Sequence, residues 1–369
     1  MRVITFGILT FLTLSAAKLP LPPKAGIKTP GVLIPFSSLT AEATLPAPDK
    51  PAWTFFLADG AAGGPGGRGG GGGRGGGGGR GAGRGSASAP PAAAEPATGF
   101  LYIPAKDKLD KIETKTNKPA DPVAGLKQPC GGAVSAFGSL WIPTCGDGAL
   151  QRIDPKTSKI IASINSGAAD IHGSLAASPD SVWLLSDSRE TLSRIDPEQN
   201  AVVGEIRVPA GCNSLTFGEA SLWLACPEQN RILRINPATN VVDKRIEVSA
   251  RPLGIAVGEG SIWVLCGKDG KVDRVDPKTD KVAKSIDLAV PNAEGGIALS
   301  DGFVWVSMTG FPVTRIDPTA ETVAQQFWGE GGGAITASAG ALWVSHLTGP
   351  NSGTVWRIDP KLILATLAE

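Results

Sequence analysis

The sequence has almost no net charge and only one long apolar run. Its 369 residues carry 35 basic and 34 acidic side chains, a formal net charge of +1, and charged residues make up 19% of the chain. Balanced charge gives no electrostatic reason to expect DNA, an anionic membrane or an acidic partner. The long apolar run lies at residues 3–14, and no later apolar stretch approaches the roughly 20 residues that a spanning helix needs. The composition therefore predicts neither DNA binding nor a membrane span.

Histidine is scarce, and short metal-binding motifs are absent. The two histidines, His172 and His346, lie in no H-x-H or H-x-x-E sequence. The sequence therefore offers no local pair of ligands for a metal ion. Glycine and proline are abundant instead, with 49 and 30 residues. Such a composition predicts many short strands joined by tight turns and argues against a helical bundle.

The first 17 residues have the pattern of a secretory signal peptide. Arg2 precedes an apolar run at 3–14, and the small residues Ser15-Ala16-Ala17 follow. The pattern predicts export to the periplasm or the medium, with a mature chain that begins near Lys18 and an N-terminal extension at 18–39. An uncleaved anchor is the alternative, although the apolar run is short for it. Export permits disulfides.

A repeat of about forty residues dominates the rest of the chain. A small–apolar–Trp triplet recurs every 38 to 42 residues, and an Arg–apolar–Asp/Asn–Pro turn follows each one. The triplets end at Trp141, Trp183, Trp223, Trp263, Trp305 and Trp343, and the turns begin at Arg152, Arg194, Arg234, Arg274, Arg315 and Arg357. Phe100-Leu101-Tyr102 is a degenerate seventh copy, with Lys111 in place of the arginine. This period is typical of propeller blades.

The repeat predicts an all-β, seven-bladed β-propeller of four-stranded antiparallel blades over residues 40–369. In the fifth unit the four strands, A to D from the inside outward, are predicted at 254–257, 261–266, 271–275 and 281–288. Residues 42–46 resemble a D strand, so the N-terminal end of the domain is predicted to complete the last blade. Residues 363–367 compete for that place. The repeated tryptophans, arginines and aspartates are interpreted as packing and turn residues.

Residues 61–99 interrupt the first unit between its predicted inner strand (52–57) and Leu101. The segment is rich in glycine, with Arg68, Arg74, Arg80 and Arg84, and is predicted to be disordered. Gly-Arg runs resemble RNA-binding segments, but this one lacks aromatic residues for base stacking, and export removes the protein from RNA. A flexible spacer is therefore the favoured interpretation.

A ligand is expected on the face that carries the D–A and B–C loops. Positions eleven residues before each tryptophan are predicted at the mouth of the central channel. They include His172 and Glu294, which form a hypothetical acid–base or metal pair across the channel. Solvated loop residues are the alternative interpretation. The other candidates on this face are Gln128, Asp170, Asn213, Arg251, Lys268 and His346.

Five cysteines leave at least one thiol unpaired. Cys130–Cys145 and Cys212–Cys226 each join the start of strand A to the end of strand B in one blade, where antiparallel neighbours lie at disulfide distance. Both bridges are therefore predicted. Cys266 is predicted to be free, because Pro252 occupies its partner position. A metal cluster of Cys130, Cys212 and His172 is the rival hypothesis, and it needs reduced thiols.

The repeat S-[LIV]-W…R-I-D-P-x-T resembles that of YVTN-type and virginiamycin B lyase-like (streptogramin lyase-like) seven-bladed propellers, from about Thr40 to the C-terminus apart from the insertion. The resemblance implies the propeller fold. The lyases open the lactone ring of streptogramin B antibiotics by elimination, using metal-assisted His and Glu groups. Their closely spaced Glu and His are not found near His172 or His346, so the catalytic residues are not carried over.

Three function hypotheses follow. The first is a non-catalytic exported scaffold that binds a small molecule, peptide or protein on the D–A/B–C face without a cofactor. This scaffold is expected to be a monomer. The second is a metal-assisted lyase that uses His172, Glu294 and Mg²⁺, and it depends on the fold alone. The third is an interaction protein whose Gly/Arg insertion engages polyanions. Removing residues 61–99 would abolish binding only in the third case.

Overall fold

The structure is a computed structural model that describes residues 25–29, 31–50, 53–58, 98–167, 174–338, 340–347, 349 and 352–366. Seven sheets surround a central channel, and each sheet is one blade of a β-propeller. This confirms the predicted all-β fold with seven four-stranded antiparallel blades. No helix in the described ranges has the length and apolarity required to cross a membrane.

The strands follow the order A to D in each blade. Two strands precede the first blade: β1 (Leu33–Pro35) and β2 (Ala43–Pro46). Blades one and two contain β3 (Phe55–Ala58), β4 (Gly99–Pro104), β5 (Lys108–Glu113), β6 (Lys118–Ala124), β7 (Val134–Ala136), β8 (Ser139–Thr144), β9 (Ala149–Asp154) and β10 (Lys159–Asn165). Blades three and four contain β11 (Leu175–Ala177), β12 (Val182–Ser186), β13 (Thr191–Asp196), β14 (Ala201–Arg207), β15 (Ser214–Gly218), β16 (Ser221–Cys226), β17 (Arg231–Asn236) and β18 (Val241–Glu247).

Blades five and six contain β19 (Pro252–Gly258), β20 (Ser261–Cys266), β21 (Lys271–Asp276), β22 (Lys281–Asp287), β23 (Gly295–Ser300), β24 (Phe303–Met308), β25 (Phe311–Asp317) and β26 (Thr322–Trp328). Blade seven contains β27 (Ile335–Ser338), β28 (Ala341–His346) and β29 (Thr354–Ile358). Helix α1 (Pro360–Ala365) follows, and single 3₁₀ turns lie at Phe36–Ser38, Asp187–Arg189 and Pro227–Gln229. Gly99, which the sequence analysis placed in the insertion, begins β4, and residues 59–97 lie outside the described part.

Strands from both ends of the chain close the ring. In blade seven, β2 is the outer strand and pairs antiparallel with β29, with Leu45 opposite Val355. The N-terminal segment therefore forms the outer strand of blade seven, the position for which residues 363–367 were the alternative. Residues 363–365 belong to α1 instead. The two ends of the chain are therefore joined by backbone hydrogen bonds within blade seven, which removes the open edge of β29.

The repeated tryptophan and arginine lie opposite each other on strands B and C. Trp141 pairs with Arg152 in the register of β8 and β9, and the guanidinium carbon lies 4.9 Å from the centre of the indole ring. All six repeated tryptophans, and Tyr102 in the degenerate copy, are fully buried. Cation–π stacking and burial of a large ring explain why the two residue types recur together.

In every blade except blade six, the repeated arginine, or the lysine that replaces it in blade one, also donates hydrogen bonds to the C–D turn of the next blade, a contact that we call an arginine clasp. Arg152 donates from Nε to Ser139 Oγ (2.9 Å), and it donates to Pro197 O (2.6 Å) and Asn200 Oδ1 (2.9 Å) in the C–D turn of blade three. Equivalent clasps run from Arg194 to Asn240, Arg234 to Asp280, Arg274 to Glu321, Arg357 to Asn117 and Lys111 to Ser158. The prediction that these residues serve packing is confirmed.

Blade six departs from this pattern. Arg315 donates to Gln325 Oε1 within its own blade (2.7 Å), and Gln325 Nε2 donates to Ile363 O and Thr366 Oγ1 at the end of α1. After Asp359 the chain forms α1 instead of a C–D hairpin, so blade seven presents no turn that Arg315 could reach. Within the described residues, the seam between blades six and seven has no arginine clasp.

The N-terminal extension fills this seam. Strand β1 adds to blade six as a fifth strand, parallel to β26, with Leu33 opposite Gln326. Phe36 and Leu39 are buried against Phe327, Leu342 and Val344, on strands of blades six and seven. The extension therefore supplies side chains to the core of the propeller.

Candidate functional site

The D–A and B–C loops lie on one face of the ring, because strand A begins where strand D ends. We call this surface the D–A/B–C face. One backbone hydrogen bond recurs there: the residue four positions after the blade's tryptophan donates to a residue of the D–A loop. The bonds are Cys145 N to Gln128 O (2.9 Å), Gly267 N to Arg251 O (2.9 Å), Thr309 N to Glu294 O (3.1 Å) and Leu347 N to Gly332 O (3.4 Å).

This bond places three predicted candidates at equivalent positions. Gln128, Arg251 and Glu294 hold the same place in blades two, five and six, and Gly332 holds it in blade seven. Gln128, Arg251 and Gly332 have φ values of 56°, 61° and 86°. Glycine adopts this left-handed conformation without a steric penalty, whereas a residue with a Cβ does not. Blades two and five therefore carry long polar side chains at a position that suits glycine.

Arg251 and Glu294 form an ion pair between the D–A loops of blades five and six. Their side chains are 41% and 62% exposed, so the pair faces solvent. The backbone N–H of Arg251 donates to Asn230 Oδ1 of blade four (2.9 Å). Arg251 thus links three consecutive blades, and its guanidinium is directed toward Glu294.

Lys268 lies beside this pair on the B–C loop of blade five. Its N–H donates to Ala250 O (3.3 Å), and its carbonyl accepts from Asn292 N (3.2 Å). The neighbouring Asp269 accepts from Ala250 N at 2.7 Å. These bonds bring two cationic and two anionic side chains, from Arg251, Lys268, Asp269 and Glu294, to the same loops. The local charge is mixed, which matches the balanced composition of the chain.

Asn213 lies at the start of the inner strand of blade four. Its N–H donates to Ala225 O at 3.0 Å. Its Oδ1 is buried and accepts no hydrogen bond from the described residues. The residue before it, Cys212, forms a disulfide with Cys226, and the Cα atoms are 4.0 Å apart. The second disulfide, Cys130–Cys145, has a Cα separation of 6.0 Å. Both predicted bridges are confirmed.

Cys266 is a free thiol, as predicted. It is fully buried, and Pro252 is its antiparallel partner on β19, at the position where a second cysteine would be required. Burial raises the pKa of the Cys266 thiol far above its usual value, and the nearby Asp273 and Asp269 carboxylates raise it further. Because the thiolate is the reactive form, this cysteine is not suited to nucleophilic or metal chemistry.

His346 is not available on the surface. It ends β28 next to the B–C loop of blade seven, and only 1% of the residue is exposed. Its imidazole lies edge-on to the Trp356 ring, with centroids 4.8 Å apart, and 5.8 Å from the ring of Phe36. Burial lowers the pKa of His346 to about 4, so the ring is neutral at physiological pH. Aromatic side chains of the seam cover a residue that the sequence analysis placed on a ligand face.

The hypothetical acid–base pair consists of His172 and Glu294, and His172 lies outside the described residues. His172 and Asp170 belong to residues 168–173, which the structure does not describe. Across the described ranges, no group of three or more His, Cys, Asp or Glu side chains could hold a metal ion. The polar side chains that the structure describes on the D–A/B–C face include amides, an ion pair and the neighbouring Lys268 and Asp269.

Sequence reasoning missed Asn230 as a part of this face. Asn230 caps the 3₁₀ turn Pro227–Gln229 with φ 51°, a conformation that asparagine tolerates well. Its side chain then accepts from Arg251 N. The signal was the sequence Pro-Glu-Gln-Asn directly after Cys226, which is typical of a capped turn, although the contact with the next blade has no local signal.

Comparison with known proteins identifies no family. No model of a known protein family matches the chain. No curated protein matches it either. Among solved structures, the chain is similar to hydrazine synthase of Kuenenia stuttgartiensis, with 13% identity and a TM-score of 0.46, over 56% of this chain and 70% of the other. Its own strand topology makes the chain a seven-bladed β-propeller, and two disulfides lie within blades two and four.

Proposed function

We propose that the protein is a non-catalytic binding scaffold that holds a small molecule, a peptide or a partner protein on the D–A/B–C face. The observation that carries the proposal is the pair of polar side chains at left-handed positions, Gln128 and Arg251, where blade seven has Gly332. A residue with a Cβ in this conformation costs about 1–2 kcal/mol relative to the right-handed form. Backbone outliers of this kind cluster at binding sites.

The contacts of Arg251 support binding more than folding. Its ion pair with Glu294 is solvent-exposed, and pairs of this kind contribute about 0–1 kcal/mol to stability. The ion pair therefore does not fully offset the backbone cost. A ligand that exchanges hydrogen bonds with the guanidinium and the carboxylate gives both side chains a role.

A metal-assisted lyase has less support. Its hypothetical residues are His172 and Glu294, with Mg²⁺ as the metal. Glu294 is paired with Arg251, which competes with a cation for the carboxylate. His346 is neutral and buried. We therefore keep opening of the streptogramin B lactone ring by elimination as an outcome of the test and not as the proposed function.

The proposal includes export and a relation to YVTN-type, streptogramin lyase-like propellers. Residues 1–17 would act as the signal peptide, and the two disulfides fit an oxidising compartment. The Trp and Arg-Ile-Asp-Pro repeat supports the relation. N-terminal sequencing of the protein recovered outside the cytoplasm tests export, with a mature N-terminus expected near Lys18.

Binding is tested with defined probes. The wild-type protein and the Arg251→Gly variant are screened by thermal shift against single amino acids, dipeptides and mono- and disaccharides, and hits are measured by calorimetry. Glu259→Gly is the matched control, because Glu259 has φ 52° in an A–B loop on the opposite face. We expect Arg251→Gly to weaken a hit at least ten-fold and Glu259→Gly to leave it unchanged. A hit that binds all three proteins equally contradicts the proposed face.

A second measurement needs no ligand. Unfolding by guanidinium chloride should give Arg251→Gly and Gln128→Gly a free energy of unfolding equal to that of the wild type or up to about 1 kcal/mol higher. A loss of more than 1 kcal/mol in both variants would show that the side chains serve folding. Mass spectrometry of a streptogramin B lactone incubated with Mg²⁺ and the protein tests catalysis, and ring opening lost in Glu294→Ala would replace the scaffold with the lyase.

A further inference from the structure

The N-terminal segment covers the one described seam that has no arginine clasp. We call residues 31–39 the strap. Phe36 stacks on Trp356 of β29, with ring centroids 5.2 Å apart and an interplanar angle of 22°. The strap is held further by β1, which pairs with β26, and by the 3₁₀ turn, in which Leu39 N donates to Phe36 O at 3.0 Å. The strap lies on the outside of the ring, whereas β2 closes it.

Beneath the strap, His346 is held in one protonation state. Gly332 N donates to His346 Nδ1 at 3.3 Å, so Nδ1 bears the lone pair and Nε2 bears the proton. Nε2 is buried and finds no acceptor in the described residues. A Cβ on Gly331 would overlap the imidazole, so the loop backbone packs directly against the ring.

A second proton would have no favourable position. It would have to bind Nδ1, where it removes the bond from Gly332 and places a positive charge among the rings of Phe36 and Trp356. Charged groups on the neighbouring elements do not offset this positive charge on His346. Glu330 precedes the Gly331–Gly333 loop and is exposed, and Arg357 follows Trp356 and is paired with Glu42. The strap's 3₁₀ turn and β28 contribute no charged side chain.

We propose that the strap is an acid-released latch, in which protonation of His346 displaces Phe36 and frees residues 31–39 from the seam while β2 keeps the ring closed. Burial lowers the pKa of His346 to about 4, and this lowering means that the covered state is weakened by acid and not by base. Release of the strap removes the part of this burial that Phe36 supplies and moves the pKa of His346 toward its ordinary value near 6.5, so the covered state loses stability as the pH falls below about 6.5. Release uncovers Trp356 and the outer edge of blade six, an edge to which another extended segment can add.

Hydrogen–deuterium exchange of the full chain tests the latch. Protection factors of the strap amides, corrected for the intrinsic pH dependence of exchange, are compared at pH 7 and pH 5. We expect strap protection in the wild type to fall at pH 5, by at most about twenty-fold, the limit set by a shift of the pKa from about 4 to 6.5, with unchanged protection in blades one to five. A strap that keeps its protection at pH 5 overturns the proposal.

Two variants separate the latch from general acid destabilisation. His346→Phe retains an aromatic ring without a titrating group, so its strap should show no loss between pH 7 and pH 5. Phe36→Ala should expose the strap at pH 7 without involving the imidazole, and should show no further loss at pH 5. Equal acid losses in the wild type and in either variant would overturn the proposal, and Phe36→Ala keeps this test available if His346→Phe does not fold.

Discussion

Arg357, near the end of the chain, forms an ion pair with Glu42, near its beginning, with 3.0 Å between Nε and Oε2. The same guanidinium stacks on Trp343 and donates to Thr114 O and to Asn117 Oδ1 (3.1 Å) of blade one. One side chain therefore joins the strand that closes the ring, the last blade and the first blade.

We expect Arg357→Met to lower the free energy of unfolding by about 3 kcal/mol. The variant leaves the Thr114 carbonyl and the Asn117 amide oxygen without donors in a site that is largely buried, and such losses cost about 1–3 kcal/mol each. Denaturant unfolding measures the change. Lys127→Met is the control, since the Lys127 side chain is 70% exposed in its ion pair with Asp147, and it should change stability by less than about 0.5 kcal/mol. Equal effects of the two variants would contradict a special role for the closing contact.

The repeat made most of the propeller predictable. The spacing of tryptophan and arginine gave seven blades because both residues perform the same contacts in each blade, so their positions carry the period. In blade five the predicted B strand, 261–266, agrees with β20, and the predicted C and D strands end within one residue of β21 and β22. The disulfides followed from the same alignment, since A and B strands pair in a fixed register.

The strap and the burial of His346 could not be predicted in this way. Residues 31–39 contain no part of the repeat, and their contacts with Phe327 and Trp356 join positions that are separated by most of the chain. The alignment placed His346 in a B–C loop, whereas it is the last residue of β28, and the alignment could not show that a segment outside the repeat covers it. Contacts between blades, such as Asn230 with Arg251, were hidden for the same reason.

A third disulfide can be introduced between Pro252 and Cys266. The two residues are antiparallel partners in the register of β19 and β20, and such partners lie within the Cα range that disulfides span. We expect Pro252→Cys to form the bridge and to raise the free energy of unfolding by about 3 kcal/mol, as predicted for a closed loop of this length. Thiol counting by mass spectrometry and unfolding with and without reductant check both statements.

Two controls for this bridge use Cys266, one by alkylation of its thiol and one by its replacement with alanine. In the wild type the buried thiol, whose pKa is raised, should resist iodoacetamide in the native state and react after unfolding. The double variant Pro252→Cys, Cys266→Ala keeps the two native disulfides and should depend on reductant only as much as the wild type does. A native Cys266 that alkylates as fast as an unfolded one would contradict its burial.

Gly218 lies at a close approach between the inner strands of blades four and five. A Cβ at this position would lie 2.9 Å from Val257 Cβ on β19. We expect Gly218→Ala to lower the free energy of unfolding by about 1–3 kcal/mol, the usual cost of overpacking. Gly204→Ala is the matched control on the outer strand β14, where the nearest atom to a new Cβ is 3.5 Å away. This control should be neutral or slightly stabilising, and a Gly218→Ala variant as stable as the control would mean that the inner strands can separate.

Trp223 tests whether the tryptophan row holds the blades together. The ring is fully buried, and its Nε1 donates to Gly218 O at 3.0 Å, which fixes the indole against the inner strand. Trp223→Phe removes this bond and part of the ring, and we expect a loss of about 2 kcal/mol. Trp223→Ala leaves a cavity and should cost about 3–5 kcal/mol. Thermal and denaturant unfolding measure both variants. If the tryptophan instead served a ligand, Trp223→Phe would alter binding and leave the free energy of unfolding unchanged, a result that its complete burial argues against.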